Sequence, residues 1–238
     1  MKKIYTIGMI TMAILASAPL AISQNSDTLS YAENDVRKHY GIYHLAKRYN
    51  DPVVARMALY QILVFSPNEK AVLDSLAIEY FQQNNYVSAA LVAKDNIEAY
   101  KSETALEIGA ASLSSLGVKD KALEYYEDLA LINNSTGTHY QIAFLQYEMK
   151  RYEEAKTTLE ILMKRPEIDT VNLIFPRQDQ SNQEVVMRAA LQNLQGLISA
   201  AEGNIEEAKG LYLEALKTSP GFEVAQLNLR SLAKKEDE

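Results

Sequence analysis

The side chains in this chain with chemistry to offer are three histidines, two pairs of adjacent glutamates and fifteen tyrosines. His39 and His44 are five residues apart. On a helix that spacing turns them to different sides, so they make a poor pair of metal ligands. His139 lies far from both in sequence. No His-Glu-x-x-His, nucleophile elbow, phosphate loop or dinucleotide fingerprint occurs. Cysteine is absent, which excludes disulfides, thiol chemistry, thiolate-bound metals and a lipid anchor on Cys. Glu153-Glu154 and Glu206-Glu207 fall where helices open, a place in which carboxylates complement the helix dipole. The expectation is no enzyme: no catalytic residue, no metal and no cofactor.

The elements that would position any site come next. The chain has 238 residues, 47% of them apolar, with only 9 Gly and 6 Pro. That is room for one domain or a short repeat array. The net charge is −7, which argues against a general nucleic-acid surface. Residues 1–23 read as a secretory signal of bacterial type. Lys2-Lys3 precede an uncharged run from Ile4 to Leu20, and Ala21-Ile22-Ser23 precede a cleavage point at Gln24. An uncleaved membrane anchor is the other reading of the same stretch. With the leader removed the charge becomes −9, because Lys2 and Lys3 go with it. The expected location is periplasmic or secreted, with no stable membrane insertion after cleavage.

From Asn34 onward the apolar spacing is helical, with Asn34 as a candidate cap. Breaks fall at Asn50-Asp51-Pro52, Ser66-Pro67-Asn68, Asn84-Asn85, Lys101-Ser102, Gly117, Asn133-Asn134, Lys150-Arg151, Gly203 and Ser219-Pro220-Gly221. Helices of about fourteen residues with such short connections imply helical hairpins. An alanine follows each mid-hairpin break: Ala55, Ala89, Ala122, Ala155 and Ala208, spaced by 34, 33, 33 and 53 residues. A small residue recurs on the preceding helix at Ala77, Ala110, Ala143 and Gly196, where two helices would cross closely. With Tyr80, Tyr126, Tyr212, Ala215 and Pro220, these positions resemble the tetratricopeptide repeat (TPR) over nearly the whole chain after the leader.

The resemblance implies an all-α TPR solenoid: a lead-in at 24–35, an array over 36–235, and repeats near 36–69, 70–102, 103–135, 136–166 and 189–221. A polar capping helix at 222–235 would close it, with Val224, Leu227 and Leu232 inward. Tyr43 and Asn96 depart from the pattern, standing where small residues are expected. The long final step places an insertion at 165–182. It contains an extended, β-branched stretch, Thr170 to Pro176, able to form a hairpin with Glu184-Val185-Val186. Two readings stand for it, a tolerated surface loop or a binding face.

In TPR families the first helix of each repeat lines a concave groove. By position that gives Arg37, Tyr40, His44, Lys47 and Arg48 in repeat one, Asp74 and Phe81 in repeat two, and Tyr140, Phe144 and Tyr147 in repeat four. Glu107, Asn193 and Leu197 occupy equivalent places in repeats three and five. Val36 to Tyr49 holds four basic residues and no acid, within an acidic protein. The three aromatics recur at spacings of four and three, hence on one side of a helix. A basic end with an aromatic strip suits an extended peptide bearing a carboxylate. Packing of the aromatics against neighbouring helices is the competing reading. The positions that grip chaperone tails in this family hold Tyr40, His44, Ser75, Thr104 and Ile108, none of the required type. The function expected is a protein or peptide-binding adaptor or assembly factor. The alternative is a self-assembling protein using the insertion or an array end, so a homo-oligomer is an open possibility.

Overall fold

The computed structural model describes residues 31–236, with side chains over 32–233. The leader at 1–23 and residues 24–30 of the lead-in lie outside the described residues. The chain divides into two compact units, 31–118 and 119–236 among the described residues.

The first unit comprises α1 (Tyr31–Arg48), α2 (Pro52–Phe65), α3 (Lys70–Gln82), α4 (Tyr86–Tyr100) and α5 (Glu103–Ser115), each packed on the next. The second begins with α6 (Lys119–Asn133), α7 (Thr136–Glu148) and α8 (Tyr152–Met163). A 3-10 turn (Pro166–Asp169) and strands β1 (Asn172–Pro176) and β2 (Asn182–Val186) follow. It ends with α9 (Met187–Ala201), α10 (Ile205–Thr218) and α11 (Glu223–Glu236). Helix α1 starts three residues before Asn34, which therefore lies inside it rather than capping it.

One backbone device repeats. Asn50, Asn84, Gly117, Lys150 and Gly203 all have positive φ. The residue after each returns its N–H to a carbonyl five residues back: Asp51 to Ala46 (2.8 Å), Asn85 to Tyr80 (2.9 Å), Val118 to Leu113 (2.9 Å), Arg151 to Gln146 (2.8 Å) and Asn204 to Ser199 (2.8 Å). This closes the last helical carbonyls and reverses the chain. The five turns keep the same steps as the alanine series. Connections between hairpins are capped differently. Ser102 and Ser135 accept N–H groups of Ala105 and Thr138.

Packing explains the small residues. Ala55, Ala89, Ala122, Ala155 and Ala208 are fully buried, as are Ala77, Ala110 and Ala143. Gly196 is the tightest of these positions. A Cβ there would lie 2.5 Å from Cε1 of Tyr212, a buried ring in the core of the second unit.

The insertion is an antiparallel hairpin pairing Asn172 with Val186 and Phe175 with Gln183. Its side chains alternate as a half-buried ribbon requires. Leu173, Phe175, Gln183 and Val185 point inward, and Glu184 is exposed. Phe175 meets Phe222 with ring centroids 4.8 Å apart and presents an edge to Tyr140. Gln183, with its amide turned to satisfy both groups, donates to Gly221 C=O at 2.7 Å and accepts from Glu223 N–H at 3.3 Å. Arg188 forks onto Asp169, and Met187 N–H bonds Val171 C=O at 2.8 Å. The surface-loop reading thus gives way: one face of the insertion belongs to the core. Helix α11 covers the end of the unit with Ala225 and Leu232 buried, as is Phe222 just before it, while Val224 and Leu227 are half-buried.

Candidate functional site

On α1, Arg37, His44 and Arg48 are exposed. His44 leans on Tyr43, and Arg48 sits over the Tyr49 ring at 5.9 Å. Tyr40 is half-buried against Leu59, Ile62, Val72 and Leu76. Its hydroxyl is pushed up by burial and by Glu69. Lys47 reaches α3, where it pairs with Glu79 at 2.5 Å and approaches Gln82. Glu79 is 2% exposed, so Lys47 neutralises a buried carboxylate as well as facing solvent. Phe81 is half-buried on Tyr86.

Asp74 departs from its expected role. Its carboxylate accepts from Asn96 Nδ2 at 2.7 Å and from Ser102 Oγ at 2.7 and 3.0 Å. Burial raises its pKa, with the Ser102 bond and Lys70 opposing. These bonds join α3, α4 and the cap of α5, so Asp74 is structural. They also account for Asn96, which is fully buried and bonds both Asp74 and Lys70 C=O.

In the second unit the aromatic strip is continuous. Tyr140 stacks with Phe144 (6.4 Å), Phe144 meets Tyr147 (6.2 Å), and Tyr147 meets Tyr152 of α8 (6.1 Å). Tyr140 is a second correction. It is 2% exposed, because its ring faces the inner face of the hairpin. Phe144 and Tyr147 are half-buried, each with one side on the core. Asn193 is buried and accepts from Asn228 of the capping helix at 2.9 Å. Leu197 is half-buried between two clusters.

His139 is also structural. Its Nδ1–H donates to Ser135 C=O at 2.8 Å, and Arg165 approaches Nε2 at 3.4 Å. Among the described residues no three His, Asp or Glu side chains converge as metal ligands. A shallow depression of about 270 Å³ lies at the hairpin loop, with Arg177 and Arg230 on its walls. Glu223 also lines it and accepts the Gln178 N–H at 3.4 Å. Sequence reading missed the burial of Glu79 and the environment of Glu107. Glu107 is half-buried on α5, and burial, helped by Glu103, pushes its carboxyl up to about 7.

The sequence pattern of the tetratricopeptide repeat family matches residues 138–167, which span α7, α8 and the start of the 3-10 turn. Solved structures match far more of the chain. One is a tetratricopeptide repeat protein from Parabacteroides merdae, 16% identical, covering 84% of this chain and 72% of that one with a TM-score of 0.67. The fold is that of a TPR protein. Another TPR structure similar to this chain is YrrB, described as having an unusual peptide-binding site (15% identity, 86% and 99% covered, TM-score 0.65). A third similar structure is the MamA protein (15%, 79% and 93%, TM-score 0.65). No curated protein matches the sequence significantly. Within the TPR arrangement the hairpin occupies the gap between repeats four and five, and α11 is the capping helix. Among the described residues no helix is long and apolar enough to cross a membrane.

Proposed function

We propose that this chain is a non-enzymatic protein-interaction module, an adaptor or assembly factor of the bacterial cell envelope. It binds an acidic or carboxylate-terminated peptide segment of its partner through α1. The observation that carries this reading is the exposed basic side of α1. Arg37, His44 and Arg48 face solvent with no acid between Val36 and Tyr49, on a chain of net charge −7. The similarity to YrrB lends support at the level of fold alone.

The test uses the exposed arginines and leaves Lys47 in place, because its loss would strand Glu79. A peptide library displayed with free C-termini should yield acidic binders. Arg37→Glu with Arg48→Glu should weaken them at least about tenfold by titration calorimetry, with added salt acting in the same direction. Equal affinity in the charge-reversed protein, or no binders at all, would reject the reading.

Export rests on Lys2-Lys3, the apolar run Ile4–Leu20 and the small residues before Gln24. Protein recovered from its native cells should begin at Gln24 by N-terminal mass analysis; a retained Met1 would point instead to an anchor. A second reading, self-association at an array end, draws on the exposed apolar face of α2.

A further inference from the structure

Helix α2 is apolar nearly all round. Between Pro52 and Phe65 only Arg56 and Gln61 are polar. Ala55, Ala58, Leu59 and Ile62 fill the core side, and Arg56 lies over the Tyr80 ring at 5.3 Å. On the other side Val53, Met57, Tyr60 and Val64 recur at i, i+4, i+7 and i+11, which sets them in one stripe. All four are exposed, Val64 by 71%. Val54 and Phe65 flank the stripe, and Leu45 and Tyr49 stand exposed just before the turn into α2. The other second helices expose fewer large apolar side chains: Val87, Leu91 and Tyr100 on α4, Leu131 and Ile132 on α6, Ile161 on α8 and Leu213 on α10.

The first hairpin of a soluble repeat array needs a polar outer face, and α2 lacks one. The exposed α2 side chains alone present on the order of 550 Å², at the upper end for the largest apolar patch of a typical monomer and a large part of what each partner gives to a standard interface. The stripe bears no charge, so it can meet its own copy without burying an unpaired ion. The C-terminal helix does not match it: Arg230 and Ser231 of α11 are exposed, and Gln226 is beside them. Head-to-tail stacking would press an apolar face onto a polar one. We propose that the chain forms a two-fold homodimer in which the α2 stripe of one copy packs on the α2 stripe of the other. This is independent of the peptide-binding reading, which would survive its failure.

Sedimentation of the full chain, as its host processes it, should give twice the monomer mass at micromolar concentration. Met57→Lys with Val64→Lys should raise the dimer dissociation constant at least about thirtyfold with helicity unchanged. Because the chain has no cysteine, single thiols report geometry directly. Met57→Cys or Tyr60→Cys should oxidise to a disulfide-linked dimer, since the two-fold axis would pass near the stripe centre. A monomer at about 100 μM overturns the proposal. So does cross-linking of Met57→Cys to Ser231→Cys in a mixture of the two variants. If the lysine variant fails to fold, the cysteine variants still decide: no cross-linked dimer at either position rejects the interface.

Discussion

Replacing Phe175 with alanine is expected to lower the unfolding free energy by about 3–5 kcal/mol, the range for deleting a large buried aromatic. The ring is 3% exposed, and it connects three parts of the second unit. It belongs to β1, packs at a tilt on Phe222 before α11, and meets Tyr140 of α7 edge-on. Its removal leaves a cavity walled by strand and helix ends that are held by their own hydrogen bonds, so collapse would be incomplete. Chemical denaturation of the variant should show a lower midpoint with an unchanged slope. The contrast variant is Ile174→Ala, from the adjacent half-buried position on the other side of the ribbon. Its cost should be well under half as large. Equal costs would mean that the hairpin does not bury one face selectively. For the same reason, deleting 165–182 would remove core and would not yield a folded, loopless protein.

The second large effect is one of pH. Burial and the nearby Glu103 hold the Glu107 carboxyl at about 7, against an ordinary value of 4.5. The folded state therefore keeps a proton that the unfolded state releases. Below pH 4.5 both states are protonated and there is no penalty. Through the window from 4.5 to 7 stability falls, and above 7 the loss is complete. The full loss amounts to about 3 kcal/mol. Glu107→Gln cannot ionise, so its stability should exceed that of the parent at pH 8 by that amount, while the two converge near pH 4. The measurement is the difference between parent and variant in urea midpoints from pH 4 to 8. A difference independent of pH would show that Glu107 ionises as freely as it does in the unfolded chain.

Much of the scaffold was legible because its requirements are local. A left-handed residue suits Asn or Gly, and Asn50, Asn84, Gly117 and Gly203 announce themselves. Lys150 and Lys101 have no such preference and were found only through the period and the residues around them. The alanine series was legible because close helix crossings tolerate nothing larger. The partly alternating, β-branched stretch from Thr170 to Pro176 pointed to an extended segment able to pair with Glu184-Val185-Val186. The site was less legible, because the direction of a side chain depends on distant neighbours. Tyr140 and Asp74 occupy groove positions by count. One is claimed by a ribbon more than thirty residues away in sequence, the other by Asn96 and Ser102. Asn96 was the only visible trace of that claim, as a residue out of place in the repeat.

That buried trio has a consequence for assembly. Hairpins built to one pattern are near-interchangeable on their apolar faces, so a folding chain could dock the wrong pair. The Asp74 carboxylate meets the Asn96 Nδ2 and Ser102 Oγ donors only when α3, α4 and the start of α5 are neighbours. Any other order would leave a carboxylate or an amide dry and unpaired, at about 1–3 kcal/mol or more for each group. The trio therefore works as an address within the chain: it adds little net stability but tells look-alike units which of them are adjacent.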